Sequence, residues 1–220
     1  MVSPTSQRIR LPRDERIEQT LEVAHLLFAE HGYAAVTMDE IASSVGVTKP
    51  LLYNYFGNKE RLYVACMERA GDSLTATVAE AVAATASPGA AFGAGVHAFF
   101  AFLDSDRGAW AVLFDETLPR GGEVADRVAE YRRRLTELVS DSMLARLRKD
   151  QRDRARVEVE ALSTALLAAA EALARWWLRT ETLSADAAAA LLIATIEPGL
   201  RGRSARPTSH QPSEGGTNPR

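Results

Sequence analysis

The stretch TMDEIASSVG, residues 37–46, and its continuation VTKPLLYNYFGNK, residues 47–59, decide the fold of this chain. Thr37 stands three residues before Glu40, which is the spacing of a capping box. In that motif the hydroxyl and the carboxylate each accept a backbone N–H at the start of a helix. Gly46 suits a sharp turn, because glycine adopts a positive φ without steric cost. The first segment therefore predicts a short helix that ends in a glycine turn.

A second short helix is predicted directly after the turn. Thr48 is a favoured N-cap residue, and Pro50 is tolerated in the first turn of a helix. Leu52 and Tyr55 point to the same side at a spacing of three, and Asn58 can cap a third helix. Two short helices around a tight turn are typical of the helix-turn-helix, whose second helix enters a DNA major groove. Helical hairpins inside ordinary bundles share this pattern, so spacing alone leaves both interpretations open.

The rest of the chain is predicted to be helical as well. Ala, Leu, Arg and Glu dominate residues 12–200, and no segment alternates apolar and polar residues as a half-buried strand does. Proline and glycine fall mostly between segments of helical periodicity. We therefore predict an all-α fold of about nine helices, over roughly 12–31, 38–45, 49–56, 58–85, 88–103, 107–118, 123–148, 154–180 and 185–196.

The helix-turn-helix pattern and the composition of the two ends divide the chain into four parts. Residues 12–57 hold the helix-turn-helix, and residues 58–200 form a second, larger helical domain. Residues 1–11 are polar and basic, which predicts a flexible arm. Residues 201–220 have no apolar periodicity and cannot bury enough surface to offset their ordering entropy, so we predict a disordered tail.

Bulk composition argues against several classes of protein. No apolar run reaches the ~18 residues of a membrane span, and the first residues lack a secretory signal, so we expect a cytoplasmic protein. One cysteine and four scattered histidines predict no disulfide, metal or cofactor. No nucleophile, phosphate-cradling or zinc-protease motif is present, so we do not expect an enzyme. Because the net charge is −3, any binding to DNA would depend on local positive charge.

Residues 13–65 resemble a known family through three motifs. They are T-x-x-x-I-A-x-x-x-G-V from Thr37, T-K-P-x-L-Y-x-Y-F from Thr48 and N-K-E-x-L from Asn58. In this combination the chain resembles the tetracycline-repressor (TetR) family of transcriptional regulators. The resemblance implies an N-terminal three-helix helix-turn-helix domain and a C-terminal helical domain for effector binding and dimerisation. It also implies a homodimer on double-stranded operator DNA, controlled by a small molecule.

The same resemblance assigns the contacts with DNA. The start of the second helix would contact base edges, where Lys49 can donate to guanine and Pro50 can pack against a thymine methyl. Asp39 stands where some relatives place a basic residue, and we leave it off because a carboxylate repels phosphate. The predicted base-contacting and phosphate-anchoring residues together are Thr37, Thr48, Lys49, Pro50, Leu51, Tyr53, Asn54, Tyr55 and Lys59.

An effector cavity among the C-terminal helices is a further implication of the resemblance. Aromatic side chains at helical spacing line such a cavity or fill an ordinary core, and the sequence leaves both readings open. An apolar wall would suit a hydrophobic or aromatic small molecule. The candidates for the wall and its polar contacts are His97, Phe99, Phe100, Trp110, Phe114, Asp115, Glu116, Tyr131, Trp176 and Trp177.

The last two predicted helices carry alanine-rich faces that permit close packing. Such helices build a four-helix bundle across a two-fold axis or an internal hairpin of a monomer. We favour the homodimer, because two short reading helices about 34 Å apart bind a palindrome jointly. The expected function is a repressor on the bacterial nucleoid that a hydrophobic or aromatic effector releases. The alternatives are an activator or a DNA-binding protein without an effector.

Overall fold

The computed structural model describes residues 12–86, 88–114, 118, 121–180 and 182–204. Over these residues the chain forms helices and no strand, which confirms the all-α prediction. None of the helices described is long and apolar enough to cross a membrane. The helices are α1 (Arg13–Ala35), α2 (Met38–Val45), α3 (Lys49–Phe56), α4 (Lys59–Ala83), α5 (Pro88–Ser105), α6 (Arg107–Leu113), α7 (Glu123–Leu144), α8 (Lys149–Thr180) and α9 (Ala185–Ser204).

Several helix ends differ from the prediction. Helix α1 continues past the predicted end at His31, although Gly32, at φ 77° and ψ 162°, interrupts its helical geometry as the glycine suggested. Helix α6 ends at Leu113, well before the predicted residue 118. Helix α7 ends at Leu144, because backbone bonds from residues 146 and 147 to the carbonyls three residues earlier tighten the chain into turns. Local turn geometry, which apolar periodicity does not report, sets these ends.

The predicted tails fall largely outside the described residues. The basic arm at 1–11 lies entirely outside them, as does the tail from residue 205 onward. Helix α9 runs to Ser204, past the predicted boundary at residue 200, with Pro198 inside it.

Two clusters of buried apolar side chains hold the helices together. The first, which we call the reader core, joins α1, α2, α3 and the first turns of α4. It is built on Leu21, Ala24, Phe28, Val36, Ile41, Ala42, Val45, Leu52, Leu62, Tyr63 and Met67. The second, the bundle core, joins α4, α5, α7, α8 and α9 around Leu74, Val78, Phe92, Phe100, Leu103, Leu135, Leu166, Trp177 and Leu192.

The two cores are continuous through α4, α6 and α7. Val112 of α6 is fully buried in the reader core, and its carbonyl oxygen accepts a hydrogen bond of 2.7 Å from the buried Tyr63 hydroxyl. The next residue, Leu113, is buried in the bundle core. Helix α7 likewise places Val124 in the reader core and Tyr131 in the bundle core. Helices α4, α6 and α7 therefore contribute to both cores.

Two glycines allow the helices that join the cores to approach closely. A Cβ on Gly108 of α6 would lie 2.8 Å from His25 Nε2 of α1, and one on Gly71 of α4 would lie 2.4 Å from the Tyr131 ring. The contact at α6 is reinforced by His25 Nε2, which lies 3.3 Å from Asp106 Oδ1. Helix α6 thus packs tightly on α1, and α7 packs tightly on α4.

Candidate nucleic-acid interface

Helix α2 begins and ends as its residues predict. The Thr37 hydroxyl oxygen accepts a hydrogen bond of 3.2 Å from the Glu40 backbone N–H, which confirms this half of the capping box. Gly46 adopts the left-handed conformation at φ 76°, and its N–H bonds to the Ala42 carbonyl. The threonine and the glycine thereby fix where α2 starts and where the chain turns toward α3.

Helix α3 begins at the predicted position but is capped differently. Thr48 is the N-cap residue, yet its side chain accepts no capping hydrogen bond. An N-cap hydroxyl normally accepts from the second or third residue of the helix. Here the second is Pro50, which has no N–H, and the third is Leu51, whose N–H bonds to the Thr48 carbonyl at 3.0 Å. The expectation of a side-chain cap was therefore wrong, and the Thr48 hydroxyl is not used within α3.

The burial of α3 leaves one face of the helix open to solvent. Leu52 is the fully buried residue of α3 and anchors it in the reader core. Leu51 and Tyr55 are half-buried at the flanks. The remaining predicted contact residues are exposed together on the outer side, and they are Lys49, Pro50, Tyr53 and Asn54. The structure thus brings these predicted DNA-contacting residues onto one surface.

An ion pair crosses this surface between α2 and α3. Lys49 Nζ donates a hydrogen bond of 2.7 Å to Asp39 Oδ2, and both side chains are largely exposed. The hydrogen bond to the carboxylate, followed by its charge, raises the pKa of Lys49. Asp39 was left out of the predicted DNA contacts, yet it is the ion-pair partner of Lys49, which was predicted to contact a base.

Two further basic groups, Lys59 of α4 and Arg13 of α1, belong to the helices next to α3. Lys59 Nζ donates to the Ala34 carbonyl oxygen at 3.3 Å and lies 4.5 Å from the Tyr33 ring centroid. Partial burial lowers the pKa of Lys59. The Arg13 guanidinium lies 5.8 Å from the Tyr55 ring centroid of α3. The sequence did not point to Arg13, because a contact across 42 positions leaves no local signal.

The main cavity of the described helices lies in the bundle core and has a volume of about 70 Å³. Helices α4, α5, α7, α8 and α9 contribute its walls. The lining is aliphatic and aromatic apart from Ser142 and Arg146. The lining residues are Val78, Val82, Ala91, Phe92, Gly95, Val96, Phe99, Leu135, Leu138, Val139, Ser142, Met143, Arg146, Leu166, Leu167, Ala170 and Leu192.

Of the residues predicted for an effector pocket, Phe99 lines this cavity. Phe114 and Tyr131 border a smaller hollow of about 10 Å³ between α4, α6 and α7. Phe100 and Trp177 instead fill the core as an edge-to-face pair at 5.6 Å. Trp110 stacks on Phe114 at 4.2 Å.

The remaining predicted pocket residues lie elsewhere. His97 Nδ1 lies 3.0 Å from Asp186 Oδ1 of α9, with 44% of its side chain exposed. Trp176 is 40% exposed on α8. Asp115 and Glu116 fall outside the described residues. Most of the cavity lining consists of aliphatic side chains and small residues such as Gly95 and Ala170, so a prediction based on aromatic residues missed most of it. Within the described chain, no three His, Cys, Asp or Glu side chains gather as a metal site requires.

Two family models match this chain. The model described as bacterial regulatory proteins, tetR family, matches residues 21–66, which include α2, α3 and the start of α4. The model described as a tetracyclin repressor-like C-terminal domain matches residues 88–197, which is half of the chain.

Whole-chain relatives agree with these matches. The HTH-type transcriptional activator FasR of Mycolicibacterium smegmatis is 35% identical over 172 residues, or 78% of this chain and 76% of the relative. The crystal structure of a TetR-like transcriptional regulator from Rhodococcus sp. RHA1 has a TM-score of 0.72 at 30% identity, covering 88% of this chain and 100% of the other. The regulator FadR of Bacillus subtilis, solved in complex with stearoyl-CoA, has a TM-score of 0.68 at 15% identity over 80% and 95% of the chains, and this likeness shows the fold alone.

The two threonines that precede α2 and α3 predict different results for stability. Thr37→Ala removes the hydroxyl that accepts the Glu40 N–H and should lower the free energy of unfolding by about 1 kcal/mol. Thr48→Ala removes a hydroxyl that caps nothing and should change it by less than about 0.5 kcal/mol. Urea denaturation of both variants measures the difference. Equal losses at the two positions would contradict the capping geometry.

Proposed function

Because this chain belongs to the tetR family of bacterial regulatory proteins, we propose that it is a homodimeric repressor that a small apolar effector releases from a palindromic operator. The observation that carries the proposal is the exposed face of α3, set above the buried Leu52 and joined by continuous packing to an apolar cavity in the bundle core. The face suits a major groove, and the cavity suits a ligand.

The exposed face of α3 reads the bases in this proposal. Lys49 is the first residue of α3, and its ammonium can donate to guanine O6 or N7. Pro50 and Leu51 offer apolar surface to thymine methyls, and Tyr53, 41% exposed, offers a ring and a hydroxyl. These residues supply selectivity, because base edges carry the sequence information in a major groove.

Residues around this face bind the DNA phosphates in this proposal. Thr37 lies at the N-terminus of α2, where backbone N–H groups and the helix dipole favour an anion. Lys59 contacts the carbonyl of Ala34, which lies three residues before Thr37 at the N-cap of α2. We therefore assign its charge to a phosphate near the N-terminus of α2. We assign the remaining phosphate contacts to Thr48, Asn54 and Tyr55, which border the reading face.

The dimer forms through α8 and α9. Three large apolar side chains on these helices are exposed in the single chain, namely Val157 at 78%, Trp176 at 40% and Leu191 at 49%. Large apolar residues gain from burial against a partner, and two helices from each subunit can form a four-helix bundle. A two-fold axis at this bundle would place two copies of α3 on one side of the DNA, as a palindrome requires.

The cavity binds an effector with an apolar chain. The FadR relative is described in complex with stearoyl-CoA, and this cavity has the aliphatic lining that an acyl chain requires. Arg146 adds a charged group to the lining and suits an anionic end of such a ligand. At about 70 Å³ the cavity is too small for a long acyl chain, so such a chain must push its walls apart.

Widening of the cavity changes the state that binds DNA. Helices α4 and α7 line the cavity and also contribute Met67 and Val124 to the reader core. A shift of these helices therefore alters how the reader core is held. The effector favours the shifted state, and a coupling of about 1–3 kcal/mol reduces operator affinity by about 5- to 150-fold.

A second candidate function is activation. The FasR relative is named a transcriptional activator, and it covers more than three-quarters of this chain. The same DNA contacts serve either role, because the direction of control depends on where the operator lies relative to the promoter. Transcription in vitro from a promoter that carries the bound sequence decides between them: the repressor lowers the transcript level, and the activator raises it.

Selection of bound duplexes from a random pool tests DNA reading and dimerisation together. We expect enrichment of an inverted repeat with half-site centres one helical turn, about 34 Å, apart or a multiple of it. Leu191→Glu places a charge in the proposed interface and should yield monomers by sedimentation and lose this enrichment. Leu26→Glu on α1 is the matched control, because Leu26 is 62% exposed and lies outside the proposed interface. A Leu191→Glu protein that remains dimeric contradicts the interface, and a pool without enrichment contradicts the regulator.

Filling the cavity should block the effector and spare the DNA. Ala170→Met adds side-chain atoms inside the cavity, and the loss of that space should weaken binding of stearoyl-CoA by about 5-fold or more. Ala76→Met on α4 is the control, because Ala76 is exposed and outside the lining. Titration of tryptophan fluorescence measures the ligand, and anisotropy of a labelled duplex measures DNA binding. Equal ligand affinity in the two variants would contradict this site.

A further inference from the structure

We propose that Asp39 is a specificity-determining residue: it holds Lys49 in a neutral pair and thereby reduces binding to DNA of the wrong sequence. The inference rests on the proposed function, in which Lys49 reads a base. It goes beyond that function because it assigns a role to a residue that contacts no base or phosphate. The role concerns the difference between the affinity for the correct DNA sequence and the affinity for other sequences, and not either affinity alone.

The geometry of the pair places a carboxylate within the reading surface. Asp39 belongs to the first turn of α2, and Lys49 is the first residue of α3. Their charged atoms are 2.7 Å apart across the turn that contains Gly46, with 66% of the Asp39 side chain and 51% of the Lys49 side chain exposed. The reader core and the glycine turn fix the two helix starts relative to each other, so the pair joins two rigid elements.

A carboxylate in this position opposes binding to phosphate. DNA affinity rises with the number of phosphates that a protein neutralises, and an acid beside a cation removes one from that count. The ion pair itself contributes little to folding, because exposed pairs are worth about 0–1 kcal/mol. In this proposal Asp39 therefore affects DNA binding more than it affects the stability of the fold.

Because of this ion pair, the contribution of Lys49 to binding depends on the DNA sequence. An ammonium has three donors, and the bond to Asp39 leaves two for acceptors on a base edge. Where guanine presents O6 and N7, Lys49 satisfies both donors while Asp39 still restrains its flexible side chain. Where another base lies there, the pair stays closed and adds no net positive charge to the interface. Lys49 therefore strengthens binding to its own sequence more than binding to DNA in general.

Two simpler roles for Asp39 lead to different results. The carboxylate could accept directly from cytosine N4, and then Asp39 would set a base preference without Lys49. It could also act only on the dipole at the N-terminus of α2, and then its loss would change stability alone. The 2.7 Å bond to Lys49 favours action through the lysine, and that dependence is measurable.

A double-mutant cycle on two duplexes tests the proposal. The proteins are the wild type, Asp39→Asn, Lys49→Met and the double variant, with Glu22→Gln on α1 as a control of equal charge change at an exposed site. The duplexes are the sequence enriched from the random pool and a scrambled version. Anisotropy measured over a series of salt concentrations gives Kd and the salt slope for each, and thermal melting verifies folding.

We expect Asp39→Asn to bind the scrambled duplex about 3- to 8-fold more tightly, with a salt slope steeper by up to about 1, as for one additional phosphate neutralised. Binding to the enriched duplex should change by less than about 2-fold, so discrimination falls. In the Lys49→Met background, Asp39→Asn should leave the ratio of the two affinities unchanged. Glu22→Gln should leave it unchanged in every background.

Three results would overturn the proposal. An equal gain on both duplexes would reduce Asp39 to a long-range charge. A changed base preference that persists with Lys49→Met would make Asp39 a direct reader. A Lys49→Met protein with unaltered base preference would remove Lys49 as a reader and the role of Asp39 with it. In that last case the enriched sequence still supports a DNA-binding regulator, whereas the absence of any enriched sequence contradicts the proposed function itself.

Discussion

The structure depends on one packing constraint, which is that Val112 of α6 is buried among the helices of the DNA reader. Its carbonyl oxygen accepts the hydrogen bond of the buried Tyr63 hydroxyl at 2.7 Å, and its neighbour Leu113 is buried in the bundle core. A buried hydroxyl must keep its partner, so α4 and α6 move together or lose that bond. The same reader core anchors α3 through Leu52. A ligand that displaces the walls of the cavity therefore acts on helices that also support the reading surface.

Charge on the reading surface is local and restrained. The whole chain has a net charge of −3, yet Lys49 begins α3, Lys59 begins α4 and Arg13 lies near the Tyr55 ring of α3. Each cation is held by a nearby group, namely the Asp39 carboxylate, the Ala34 carbonyl or the Tyr55 ring. Long cationic side chains lose less freedom on binding when they are already positioned. In the proposed complex, this arrangement would favour selectivity over simple attraction to DNA.

Local chemistry was predictable from the sequence, and contacts across the fold were not. The Thr37 cap, the Gly46 turn and the Asn58 cap depend on neighbours within four residues, and the structure confirms all three. Thr48 failed as a side-chain cap because Pro50 removes a donor, which the sequence itself contains. The cavity was poorly predicted because aromatic residues such as Phe100 and Trp177 fill the core, while most of the cavity lining is aliphatic. The Asp39–Lys49 pair depends on how α2 and α3 cross, which no spacing rule specifies.

The most direct test of the coupling between cavity and reader is the distance between the two reading domains of a dimer. A spin label at Ser44→Cys, exposed on α2, reports this distance by pulsed electron resonance, while Cys66 stays buried and unlabelled. Saturating stearoyl-CoA should shift the distance distribution of the DNA-free dimer. The two α3 helices would then no longer lie about 34 Å apart, as binding to DNA requires. A distribution that is identical with and without bound ligand would contradict transmission through the shared core.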